Sequence, residues 1–144
     1  MDKVKKIKEL LGILDLPKKQ QTDICTLTIL SMANLKKRTK WEEATNEWLR
    51  IHDIIAFANR NYNVSQAETS RETFRKQALH HFRNAAFIED NGMATNSPNY
   101  RYRLTDEMLE LVSTADKVTD FLQLSLMGNM SFYNTPNAED LHGA

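Results

Sequence analysis

The sequence predicts a mainly α domain with a winged helix-turn-helix core, one β-hairpin and additional flanking helices. Three observations carry that prediction. Apolar residues recur at helical spacing through most of the chain. Residues 65–104 read as a capped helix, a short strand, a polar loop and a second strand with alternating arginines. Charge is also split along the chain. Residues 1–104 hold 18 Lys and Arg against 12 Asp and Glu, whereas residues 105–144 hold only Lys117 against seven acids. The net charge of zero therefore hides a basic body with an acidic end.

The 144 residues suit one domain, and 41% hydrophobic with 26% charged is ordinary for a globular chain. Apolar stretches are too short to span a bilayer and no apolar leader follows Met1-Asp2-Lys3, so a soluble, cytoplasmic protein with no membrane partner is expected. Cys25 is the one cysteine, which excludes an intramolecular disulfide. Its neighbours Ile24, Leu27 and Ile29 point to a buried, inert thiol.

The first helix is expected over residues 3–14, where Val4, Ile7, Leu10, Leu11 and Leu14 share a face and lysines cover the other. Leu16-Pro17 ends it, because proline disfavours a helical residue before it. Residues 18–34 read as a second helix, apolar over much of its circumference and so central to the core. Lys36-Lys37-Arg38-Thr39-Lys40 is a basic connection, either a phosphate contact or a solvated loop. Trp41–Trp48 reads as a short bridging turn or a one-turn helix. A third helix over 48–60 turns Leu49, Ile51, Ile54, Ile55 and Ala58 inward, and Asn61-Tyr62-Asn63 breaks it.

Thr69 with Glu72 three residues later signals the next helix, by reciprocal capping, and it runs to about Ala85. At about 100° per residue, Phe74, Ala78, Leu79, Phe82, Ala85 and Ala86 fall on the inner arc, joined by Arg71 and Arg75. Thr73, Lys76, Gln77, His80, Arg83 and Asn84 fall on the outer arc. Phe87–Asp90 reads as a strand and Asn91-Gly92 as a turn signal. In the second strand Tyr100, Tyr102 and Leu104 alternate with Arg101 and Arg103, which places the arginines outside. Thr105 caps a helix opening with Asp106 and Glu107, and a further helix spans 116–127. The domain is thus expected over 1–127, with 128–144 as a flexible tail or linker.

The third helix, the linker 61–68 and the fourth helix make a helix-turn-helix, and the hairpin makes its wing. That geometry places a helix in the major groove of double-stranded DNA. Thr73, Lys76, Gln77 and His80 are the candidates for base edges or phosphates, with Arg83 beside them. Arg71 and Arg75 reach phosphates from the flank, by snorkelling. Arg101, Arg103 and the loop residues Asn96, Ser97 and Asn99 are assigned to the backbone or minor groove. Catalytic patterns are missing from the sequence. His80 and His81 are adjacent and so diverge on a helix, and no metal-ligand spacing, phosphate loop or nucleophile elbow accompanies them. No cofactor is expected in this chain.

The segment resembles the N-terminal winged-helix domain of the BsuBI/PstI family of type II restriction endonucleases. The resemblance rests on Leu16-Pro17 with Gln20-Gln21, on Leu27-Thr28-Ile29-Leu30, and on Thr69-Ser70-Arg71-Glu72-Thr73-Phe74-Arg75-Lys76-Gln77 followed by His80 and Phe82. Asn96-Ser97-Pro98-Asn99 with Tyr102 and Leu104 completes it, over roughly residues 8–112. It implies a DNA-recognition domain whose partner is a nuclease domain, using divalent metal, or a methyltransferase domain in the same parent chain. The acidic end and the apolar face of 116–127 suit docking against such a further domain or against a second copy, as a homodimer. Two other classes stay open: a self-standing transcriptional regulator, and a module that binds protein.

Overall fold

The computed structural model describes residues 2–63 and 71–118. Helix α1 (Lys3–Ile13) starts where the Asp2 carboxylate accepts from the Val4 N–H at 2.9 Å, and it buries Ile7, Leu10 and Leu11. A 3₁₀ turn, Lys18–Gln20, follows Pro17. Helix α2 (Asp23–Met32) is shorter than the expected 18–34, because Thr22 accepts from the Cys25 N–H and opens the helix there. Every residue from Cys25 to Met32 is buried. The hydroxyls of Thr26, Thr28 and Ser31 can sit in that interior because each donates to a carbonyl four residues back, at 2.7–3.0 Å.

The 36–40 connection is tied to α1 by Lys3, whose ammonium donates to the Lys37 carbonyl at 2.9 Å and lies over the Trp41 ring. Burial pulls the Lys3 pKa down. A 3₁₀ turn, Trp41–Glu43, leads to Leu49. The sequence places Leu49 in a helix, but its backbone exchanges two 2.8 Å hydrogen bonds with Tyr102. Helix α3 therefore begins later, as Ile51–Tyr62, with the Asp53 carboxylate accepting the Arg50 N–H at 3.0 Å. It ends at Asn63 in the left-handed conformation (φ 52°), a position asparagine tolerates.

The next helix is continuous but not uniform. Helix α4 (Arg71–Phe74) passes through a π-helical turn (Arg75–Leu79) into α5 (His80–Asn84). Phe74, Ala78, Leu79 and Phe82 are fully buried. The expected Thr69 cap and residues 64–68 of the linker lie outside the described residues, whereas Asn61 and Tyr62, expected to break the third helix, continue α3 as far as the Asn63 cap. Beyond Asn84 the chain reverses in a Schellman motif. Ala86 takes φ 61°, its N–H reaches the Arg83 carbonyl, and the Phe87 N–H reaches the Phe82 carbonyl. The Phe82 and Phe87 rings meet with centroids 6.0 Å apart, the apolar contact that accompanies this cap. Ala85 and Ala86, expected on the inner arc, are exposed because the helix has already ended.

Strands β1 (Ile88–Asp90) and β2 (Tyr102–Leu104) pair antiparallel, with Ile88 opposite Leu104 and Glu89 opposite Arg103. Leu49 bridges to the other edge of β2. Both strands are shorter than expected, with Phe87 in the cap and Tyr100 in the loop. Thr105 caps α6 (Asp106–Ser113) by accepting from the Met108 N–H at 3.3 Å, as the sequence predicts. A helical turn begins at 115–118; the rest of the helix expected to 127, and the tail 128–144, lie outside the described residues. Among the described residues no helix is long and apolar enough to cross a membrane.

Candidate nucleic-acid interface

The buried side of α4–α5 leaves Lys76, Gln77, His80, Arg83 and Asn84 exposed, with Thr73 half-buried. Arg71 and Arg75 are exposed too, although a regular wheel turns them inward. That wheel assumes 3.6 residues per turn, and the π-helical turn with its i→i+5 bonds is wider. Ala78 and Leu79 are then both buried along with Phe74, while Arg75 is exposed. Arg75 grips Glu72 through two contacts of 2.6 and 2.8 Å, and Lys76 reaches the same carboxylate at 3.5 Å. The Arg75 hydrogen bonds hold the Glu72 pKa below its ordinary value. From beneath, the buried Cys25 thiol donates to the Gln77 carbonyl at 3.1 Å, which ties the π-helical turn to α2. Burial pushes that thiol's pKa up, in keeping with an inert group.

Other predicted residues are engaged within the wing. Arg83 donates to Asp90 Oδ2 at 2.9 Å and to the Tyr100 hydroxyl at 3.1 Å, and Tyr100 donates to the same carboxylate oxygen at 3.1 Å. This triad joins the end of α5 to both sides of the hairpin loop. Arg103 sits outside the core face as expected. Its Nε donates to Glu89 at 2.7 Å and its guanidinium covers Trp48, 4.4 Å from the ring centre. Arg101 donates to the Pro98 and Tyr100 carbonyls at 2.9 and 3.1 Å. Both arginines are half-buried rather than fully exposed. Asn96 and Asn99 are exposed, while Ser97 accepts the Asn99 N–H at 3.1 Å and shapes the loop.

The Asp90 pKa is lowered, first by the Gly92 N–H at 2.9 Å, then by Tyr100 and Arg83. A depressed folded-state pKa contributes stability that is present above the unfolded value and lost as pH falls through the folded one. The helix-to-wing junction should therefore loosen at acid pH, below the ordinary carboxylate range near 3.9. Amide exchange at Gly92 and Arg101 followed down a pH series, corrected for intrinsic rates, checks this. Protection unchanged in Asp90→Asn would show that the carboxylate does not hold the junction.

Between α4 and the hairpin loop lies an open groove of about 1060 Å³. Arg71 and Arg75 form one wall, Arg50 and His52 at the start of α3 another, and residues 96–98 a third. Tyr100 and Tyr102 also line it, and these two, with Arg75, continue into a smaller hollow of about 360 Å³ beside Lys76, His80 and Arg83. Arg50 and His52 were not among the residues singled out from the sequence. Nothing in the local pattern marks them, since their place here depends on how α3 packs. No group of three or more His, Cys, Asp or Glu able to hold a metal occurs among the described residues.

This arrangement of two successive helices and a small antiparallel sheet agrees with comparison to known proteins. Residues 1–126 match the BsuBI/PstI restriction endonuclease HTH domain. The chain belongs to that family. It is 34% identical over 113 residues to the type II restriction enzyme BsuBI of Bacillus subtilis, covering 76% of this chain and 36% of that protein. A solved structure of the SdaI restriction endonuclease superposes with a TM-score of 0.68 at 26% identity, covering 74% of this chain and 35% of that one. The chain thus spans about a third of the length of these two proteins. The resemblance drawn from the RETFRKQ and NSPN elements points to the same family.

Proposed function

We propose that this chain is the double-stranded DNA recognition domain of a restriction–modification protein. The observation that carries the reading is the exposed flank of α4–α5, which presents Lys76, Gln77 and His80 together beside a cationic groove, in a chain of a restriction-endonuclease HTH family. Lysine can reach guanine O6 and N7, and glutamine can pair with adenine through two bonds. Relatives named as restriction enzymes support a nuclease partner domain in the parent protein, which would bring the divalent metal. The chain by itself is expected to bind duplexes without cutting them in magnesium.

Selection from random duplexes, with and without methylated bases, tests the reading. Enrichment of a common sequence is the expected result. Binding that enriches nothing and ignores salt would overturn it, because phosphate contacts release counterions and must weaken with salt.

A further inference from the structure

We propose that the groove between α4 and the hairpin loop seats the sugar–phosphate backbone of one duplex strand, with Arg50 and Arg71 as phosphate contacts from two walls. This rests on the reading of the domain as a duplex binder and assigns the backbone contacts within it. The lining is rich in cations, and Glu72 is the one acid among the described residues that form it. Glu72 faces both Arg75 and Lys76, so the three groups together keep one net positive charge. The Arg71 side chain makes no hydrogen bond or ion pair among the described residues, and it is exposed. Arg50 uses Nε and one terminal nitrogen on Asp53, at 3.3 and 3.2 Å. A guanidinium has five N–H donors, so others remain for a phosphate oxygen. The Arg50–Asp53 pair is itself half-exposed and weakly held.

The groove is open, which suits a polymer passing through it. It adjoins the surface of Lys76 and His80, so a strand lying in it would turn its bases toward the residues proposed to read them. Arg101 and Arg103 line neither hollow, and their guanidinium groups are taken up by the loop carbonyls, Glu89 and Trp48. The backbone contacts therefore come from the helix side of the groove and from α3, not from the strand arginines.

The test uses the full 144-residue chain, a random-sequence duplex, a single strand of equal length and a salt series. Arg71→Ala and Arg50→Ala should each weaken all duplexes alike and reduce the slope of log affinity against log salt by about one. Arg101→Ala, and Lys5→Ala as a charge-matched change on α1, should keep the parental slope. A parent that binds no duplex overturns the DNA-binding reading and this inference with it. A parent that binds duplex while both Arg50→Ala and Arg71→Ala keep its slope overturns this inference alone. So does a preference for the single strand that depends on the same two arginines.

Discussion

Cutting Phe82 to alanine should cost about 3–5 kcal/mol of folding stability. The side chain is fully buried, and its residue also supplies the carbonyl that closes the helix in the Schellman motif. Its ring meets Phe87 at 6.0 Å, directly before β1. Alanine would keep the backbone bond but leave a cavity at the point where helix and hairpin join, and packed interiors relax only partly around such a loss. Urea unfolding measures the effect as a shift in midpoint at constant slope. A cost below about 1 kcal/mol, under half the usual range for such cuts, would mean that the junction is held elsewhere.

Replacing Gln77 with alanine should leave folding almost unchanged and relax sequence preference by about 1–3 kcal/mol, the range for a lost bidentate base contact. Gln77 is exposed, and its side chain makes no hydrogen bond among the described residues. Its backbone carbonyl accepts from the Cys25 thiol, which fixes the main chain and leaves the side-chain amide, among the described residues, to meet a base. His80 differs, since its Nε2 lies 3.3 Å from the Asn84 amide. The measured quantity is the affinity ratio between a selected site and its scrambled counterpart. An unchanged ratio in Gln77→Ala would remove Gln77 from base reading and shift that role toward Lys76 or His80.

By itself the sequence determined the presence and order of α1 to α6 though not all their bounds, the hairpin, the central place of α2, the Thr105 cap and the buried Phe74 and Phe82. These follow from neighbours three or four residues apart, or from period-two alternation, which a linear string displays directly. The elements around Arg71–Gln77 and Asn96–Asn99 carry the resemblance to the family through their residue identities in order, not through periodicity. Other features were decided only by tertiary structure. Leu49 is 53 positions from Tyr102, and their bridge moved the start of α3 to Ile51. The π-helical turn, held by Cys25 from α2, exposed Arg75 where a uniform wheel hides it. Arg83 and Arg103 read as free surface charges until the fold brought Asp90, Tyr100, Glu89 and Trp48 against them. Arg50 and His52 reached the groove because α3 packs beside α4. Local periodicity states which face of an element is apolar, but the partners of a long charged side chain are chosen by chain segments far away in sequence.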